Sequence, residues 1–136
     1  MKPSRKVLVA DDEEAVRASL RNHLTHWGFD VREAVDGVQA IEEMARDHFD
    51  LVICDGMMPN KTGWDVLREV KSNPKTRNVP VIVMVAKKVE PDIFRGYELG
   101  AEYYMSKPFT KSQLLNVIRF MFDEGGEAMS QGKNSN

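Results

Sequence analysis

Two acidic clusters and one lysine are the residues in this chain best placed to do chemistry. The runs Val9-Ala10-Asp11-Asp12-Glu13 and Ile53-Cys54-Asp55-Gly56-Met57-Met58-Pro59 each set carboxylates directly after a short apolar stretch. Stretches of that kind form strands, so the acids fall at strand ends. Carboxylates gathered within a few ångströms repel one another, and the repulsion is relieved by a cation or by raised pKa values. Magnesium is the simplest such cation, because it takes hard oxygen ligands, keeps several waters and commonly works with phosphate groups. Ser106-Lys107-Pro108-Phe109 supplies an amine at a third strand end, able to reach a phosphoryl oxygen across the sheet edge. Pro108 would hold that turn, and a cis bond between Lys107 and Pro108 is a form the sequence leaves open.

The elements that must position these groups are legible in the hydrophobic pattern. Apolar runs at 7–10, 51–54 and 81–85 lack polar alternation, as expected of parallel strands covered on both faces. Weaker strands are predicted at 29–33 and 103–106. Between them, residues 14–27 place Val16, Leu20, Leu24 and Trp27 at helical spacing, and Gly28 closes the helix. Residues 37–48 repeat the pattern through Ile41, Met44 and Ala45. Residues 63–72 do so through Val66, Leu67 and Val70, with Asn73-Pro74 as the stop. The stretch 90–99 is a weaker helix, since Pro91 fits only a first turn and Gly96 weakens the middle. The last helix, 111–124, opens on a Thr110 and Gln113 capping box and carries Leu114, Val117, Ile118 and Met121 on one face.

Strand and helix thus alternate along the chain. This order predicts an α/β fold, a doubly wound five-stranded parallel sheet alternating with five helices and joined by right-handed crossovers. In open sheets of this kind ligands gather outside the carboxyl ends of the strands, where the winding reverses, and both acidic clusters fall at that edge. Residues 1–124 are expected to form one domain. Residues 125–136, rich in Gly, Ser, Asn and Gln and without apolar periodicity, are expected to form a flexible C-terminal tail.

Bulk properties narrow the function further. A formal net charge of -2 gives no field to attract a polyanion, and no local basic patch interleaved with aromatics makes up for it, so no direct nucleic-acid binding is expected. No stretch approaches the roughly 20 apolar residues of a membrane span. The single cysteine, Cys54, excludes an internal disulfide and argues against a cysteine-rich zinc site. A cytoplasmic, reducing location fits. Cys54 itself reads as a buried small hydrophobe, while Arg17, Arg21 and Arg32 read as solvated faces.

Several fragments carry a family likeness when taken together. They are Asp11-Asp12, Asp55 with Pro59 and Gly63 downstream, Val79-Pro80-Val81-Ile82, and Gly100-Ala101 followed by Lys107-Pro108-Phe109. In this order, at these strand ends, they resemble the receiver domains of two-component signalling over about residues 6–124. The resemblance implies the flavodoxin-like strand order 2-1-3-4-5. It also implies that Asp55 accepts a phosphoryl group from a phosphohistidine on a sensor histidine kinase or histidine phosphotransfer protein. Asp12, Asp55 and the Met57 main-chain carbonyl would ligate Mg2+ or another divalent cation such as Mn2+, with Asp11 acting through water. Lys107 would pair with Asp55 before transfer and with the phosphoryl group afterwards. Such a chain is a switch and not an enzyme, catalysing only its own phosphoryl transfer and dephosphorylation. A downstream protein would dock on the face made by the fourth predicted helix, the fifth strand and the last helix, where Phe94, Tyr97, Tyr104 and Phe120 are candidates. A monomer or weak dimer is expected.

One position breaks the pattern. The family usually ends strand four with Thr or Ser followed by Ala, and here Val85 precedes Ala86. Valine keeps the shape of threonine but lacks its donor, so the swap is not conservative. A hydrogen bond to a charged group contributes about 1.5 to 3 kcal/mol, so phosphorylation would hold the active conformation about ten- to a hundredfold less firmly. Lys87 and Lys88, on the rim, could replace part of the lost donor capacity with a less directional ammonium. Tyr104 matches the aromatic that moves inward when the hydroxyl is engaged, and Val85 removes the group that would engage it. The residues therefore support two readings, a phosphorylatable receiver and a degenerate receiver that binds partners without phosphorylation. A magnesium-dependent phosphatase fits the acids but lacks a second acid beyond Asp55 and a substrate-covering insertion.

Overall fold

Buried β-branched and aliphatic runs make the strands, in a computed structural model that describes residues 5–86 and 100–122. The strands are β1 Lys6–Ala10, β2 Asp30–Ala34, β3 Leu51–Asp55, β4 Val81–Ala86 and β5 Tyr103–Lys107. All pairings are parallel, in the order β2-β1-β3-β4-β5. The winding therefore reverses between β1 and β3. The central strands carry the purest apolar runs because both of their faces are covered, whereas the edge strands β2 and β5 are only partly buried.

Four helices stand among the described residues: α1 Glu14–His26, α2 Gly37–Arg46, α3 Gly63–Ser72 and α4 Lys111–Met121. This is one fewer than predicted. The remaining stretch, 90–99, lies outside the described residues, as do Lys87, Lys88, Phe94, Tyr97 and the predicted tail at 125–136. Alternate strand residues feed two separate cores. Val7, Val9, Ile53, Ile82 and Met84 pack with Leu20 and Leu24 of α1 and with Leu114, Val117 and Ile118 of α4. Leu8, Ala10, Val52, Cys54, Val83 and Val85 pack with Met44 of α2 and with Val66, Leu67 and Val70 of α3. The helices thus cover both faces, and the strand ends stay open.

The helix starts are chemically defined. Thr110 and Gln113 form the expected capping box on α4. Thr62 and Asp65 form a second box on α3, which was not among the predicted helix starts. This second box fixes the chain just after Asp55. There Gly63 N donates to the Gly56 carbonyl at 3.0 Å, and Gly56 N donates to the Met84 carbonyl at 2.9 Å. A Cβ on Gly63 would land on the Asp55 carbonyl oxygen, with the Gly56 Cα 2.8 Å away. Main chain, not a flexible side chain, would have to move. Gly63→Ala is therefore expected to cost about 3 kcal/mol, the upper part of the range for overpacking, read as a lower urea midpoint at unchanged slope. An unchanged midpoint would refute the close approach.

On the opposite edge, away from the acids, Lys71 ties three segments together. Its ammonium donates to the carbonyls of Arg77 at 3.1 Å and Val79 at 2.8 Å, and to Glu102 Oε2 at 2.9 Å. Glu102 Oε1 in turn accepts from Val81 N at 2.8 Å. The end of α3 and the starts of β4 and β5 are joined through this one side chain.

Candidate functional site

Register brings the acids together. Ala10 lies opposite Cys54 across the β1–β3 pair, so Asp11 and Asp55 leave adjacent strands side by side. Asp12 follows on the exposed turn. One carboxylate oxygen from each of Asp11, Asp12 and Asp55 lies within 4.8 Å of the others. Ala86 pairs with Lys107, which puts the lysine at the end of β5, one strand beyond β4. From there its ammonium reaches Asp11 Oδ2 at 2.9 Å, Glu13 Oε1 at 3.3 Å and Asp55 Oδ1 at 3.5 Å. The Lys107–Pro108 peptide is cis. The four residues Asp11, Asp12, Asp55 and Lys107, distant in sequence, thus share one pocket.

Each group has a distinct environment. Asp11 is fully buried, and its two oxygens accept from Glu13 N at 2.8 Å and from Lys107. Asp55 is almost buried. Burial first, and the charge of Asp11 second, push its carboxyl up to about 6, against the pull of Lys107 and the Met57 N–H. For Lys107 burial works against the charged form, but the hydrogen bond to Asp11 and the charges of Asp55 and Asp11 outweigh it, and its pKa is raised. It stays an ammonium. Burial raises the Cys54 thiol, with the charges of Asp55 and Asp11 adding to it, so the cysteine is inert as expected.

Arg17 departs from the solvated role expected of it. Its guanidinium donates to the Asp11 carbonyl at 2.8 Å and pairs with Glu33 at 3.2 Å, and Arg21 reaches the other Glu33 oxygen at 2.6 Å. The hydrogen bond from Arg21 leads the causes that hold the Glu33 carboxyl below its ordinary value. Arg17 therefore fixes the main chain of the acidic turn from below. The signal that could have found it is the pairing of β1 with β2, which sets Glu33 beside Val9.

Beside Asp55 a cavity of about 160 Å³ is lined by Gly56, Met57, Trp64, Val85, Ala86 and Lys107. Val85, at 4% exposure, presents methyl groups there and no donor. The Trp64 ring stands 5.9 Å from the ring of Tyr104 at 45°, and Tyr104 packs on the core cluster that holds Trp64 and Val85. Sequence reasoning missed Trp64, because a helix pattern gives burial but not the neighbour. On the outer face, Tyr103, Tyr104, Gln113, Asn116, Val117 and Phe120 line a groove of about 460 Å³. Two of the four aromatic candidates for a docking face, Tyr104 and Phe120, therefore line one groove.

The fully parallel 2-1-3-4-5 sheet thus sets acids at its reversal point and a lysine beside them. Residues 7–119 match the response regulator receiver domain, and the chain belongs to that family, the receiver domains of two-component systems. It is 39% identical over 114 residues to the response regulator MprA of Mycobacterium leprae (strain TN), a match covering 84% of this chain and 49% of MprA. The chain spans about half the length of the curated relatives it matches. Chemotaxis protein CheY4 of Vibrio cholerae is similar in structure, with a TM-score of 0.82 at 26% identity, covering 88% of this chain and 100% of CheY4. The receiver domain of the sensor histidine kinase PA1611 from Pseudomonas aeruginosa PAO1, with a magnesium ion coordinated in its active-site cleft, shares the fold. Its TM-score is 0.80 at 24% identity, covering 88% of this chain and 98% of that domain. No helix among the described residues is long and apolar enough to cross a membrane.

Proposed function

We propose that this domain is a phosphorylation switch in which Asp55 accepts a phosphoryl group from a phosphohistidine on a sensor histidine kinase or histidine phosphotransfer protein. The observation that carries the reading is the meeting of three carboxylates within 4.8 Å beside an ammonium 3.5 Å from Asp55. An Asp55 oxygen attacks phosphorus, the P–N bond breaks, and the imidazole keeps the electron pair. Without a cation in the site the carboxylate is ionised above about pH 6. Lys107 neutralises the charge that the arriving group adds, which is most of what phosphoryl transfer requires.

The donor set suits a divalent cation. Three hard oxygen donors are concentrated there, and burial, with the charge of Asp11 second, raises the Asp55 carboxyl. Both oxygens of Asp11 are engaged by Glu13 N and Lys107, which favours contact through water, whereas Asp55 and the exposed Asp12 remain for direct ligation with the Met57 carbonyl. Magnesium, or manganese in its place, would supply positive charge to the transferring oxygens. In the Pseudomonas domain of the same fold, magnesium occupies the active-site cleft.

The phosphorylated domain then changes its affinity for a protein partner, with the groove of Tyr104 and Phe120 as the contact face. It turns over nothing but its own aspartyl phosphate, and a cytoplasmic setting suits its kinase partner. Incubating the native chain with acetyl phosphate, with magnesium or with a chelator, and weighing the intact protein tests this. One added phosphoryl group in magnesium and none with chelator is the expected result. Val85 favours a second reading, a receiver that binds its partner unmodified. An unchanged mass together with retained partner binding would establish that reading instead.

A further inference from the structure

We infer that Glu13 restrains phosphoryl uptake by competing with Asp55 for the Lys107 ammonium. The inference rests on Asp55 being the phosphoryl acceptor. One ammonium faces three carboxylates at graded distances, 2.9 Å to Asp11, 3.3 Å to Glu13 and 3.5 Å to Asp55. Asp11 is fully buried and locked by the Glu13 N–H, so its hold on the lysine is fixed. Glu13 is different. Its side chain is 63% exposed and stands outside the trio of metal-competent acids. It is also the N-cap residue of α1 yet makes no side-chain capping bond. The side chains that ordinarily cap a helix are those of Ser, Thr, Asp and Asn, and glutamate is not among them. Here the carboxylate is turned to Lys107 instead, and the nucleophilic Asp55 is left as the most distant of the three.

Two effects of that carboxylate have the same sign. It draws the ammonium away from the oxygen that must attack, and it adds negative charge on the rim that an incoming phosphoryl anion must cross. With acetyl phosphate the Asp55 oxygen forms a bond to phosphorus as the P–O bond to the acetyl group breaks. Acetate leaves with the electron pair, with no redox change. The phosphoryl anion meets the Asp55 carboxylate, so negative charge crowds the centre until acetate leaves, and a competing carboxylate on the lysine slows the step.

Glu13→Gln keeps the size of the side chain and removes only its charge. Uptake from acetyl phosphate in excess magnesium, followed by intact mass, is expected to be about two- to fivefold faster in the variant at low ionic strength, the scale of one exposed ion pair. The advantage should shrink toward unity in about 1 M salt, where charges are screened within roughly 3 Å. A purely structural role for Glu13 would lower the rate or leave it alone, and would not respond to salt in this way. Equal or slower uptake by the variant, with normal uptake by the native chain, overturns this inference and leaves Asp55 as acceptor. Failure of the native chain to take up phosphoryl at all overturns both.

Discussion

Asp55→Asn should melt above the native chain at neutral pH, in the absence of divalent cations, while losing phosphoryl uptake completely. The loss follows from removal of the nucleophile. The gain in stability follows from burial. Folding raises the Asp55 carboxyl from an ordinary value near 3.8 to about 6, so the folded state binds its proton more tightly than the unfolded state does. Stability therefore falls as pH rises from about 4 to about 6, and the penalty persists above that range. A proton held that much more tightly is equivalent to roughly 3 kcal/mol, and partial solvation of the cleft reduces this to about 2 kcal/mol, several degrees in melting temperature. Asparagine never bears the charge and escapes the penalty. Thermal melts of both proteins between pH 4 and pH 8, in chelator, should diverge with rising pH and meet near pH 4. Parallel curves would show that the buried charge has no cost, and persisting uptake in Asp55→Asn would move the acceptor elsewhere.

The second large effect is expected from Val85→Thr. The new hydroxyl would enter the cavity between Asp55, Trp64 and Lys107, where a phosphoryl oxygen offers an acceptor. A hydrogen bond to a charged group contributes about 1.5 to 3 kcal/mol, enough to shift a two-state equilibrium about ten- to a hundredfold toward the active form. In the free protein the same hydroxyl would be buried, so stability should fall by about 1 kcal/mol. The readout is Tyr104, whose ring lies against Trp64 within the cluster that Val85 joins. Phosphorylation-induced chemical shifts at Tyr104 should be small in the native chain and large in Val85→Thr. Equal shifts in the two proteins would show that the missing hydroxyl does not limit the response.

How much of this was legible in the sequence differs by the kind of signal. The acids announced themselves because Asp11 and Asp55 each follow a run apolar enough to be a buried strand, and the winding rule sets such ends side by side. Lys107 was placed by the strand that ends there, while its pairing with Asp55 came from the family likeness. Strand ends extended by one residue beyond expectation at Asp55, Ala86 and Lys107, because the parallel ladder pairs one residue past each expected end. Conversely, the helix expected to reach His48 stops at Arg46, where Asp47 turns extended. Arg17 was misjudged for a physical reason. Periodicity assigns it to the polar face of α1, while its partners, Glu33 and the Asp11 carbonyl, come from neighbouring segments that no helical pattern encodes. Trp64 was hidden likewise, and Gly63, noted downstream of Asp55, was not read as a close approach, since both act through contacts made only when α3 closes over β3.

The cationic staple at Lys71 has a mechanical consequence for the fifth strand. That strand is anchored at its entry through Glu102 and at its exit through Lys107, and both anchors are ionic. A bar clamped at its two ends cannot translate along its length. A disturbance at the acidic mouth is therefore expected to show in the rings that flank the strand and not as a slide along it.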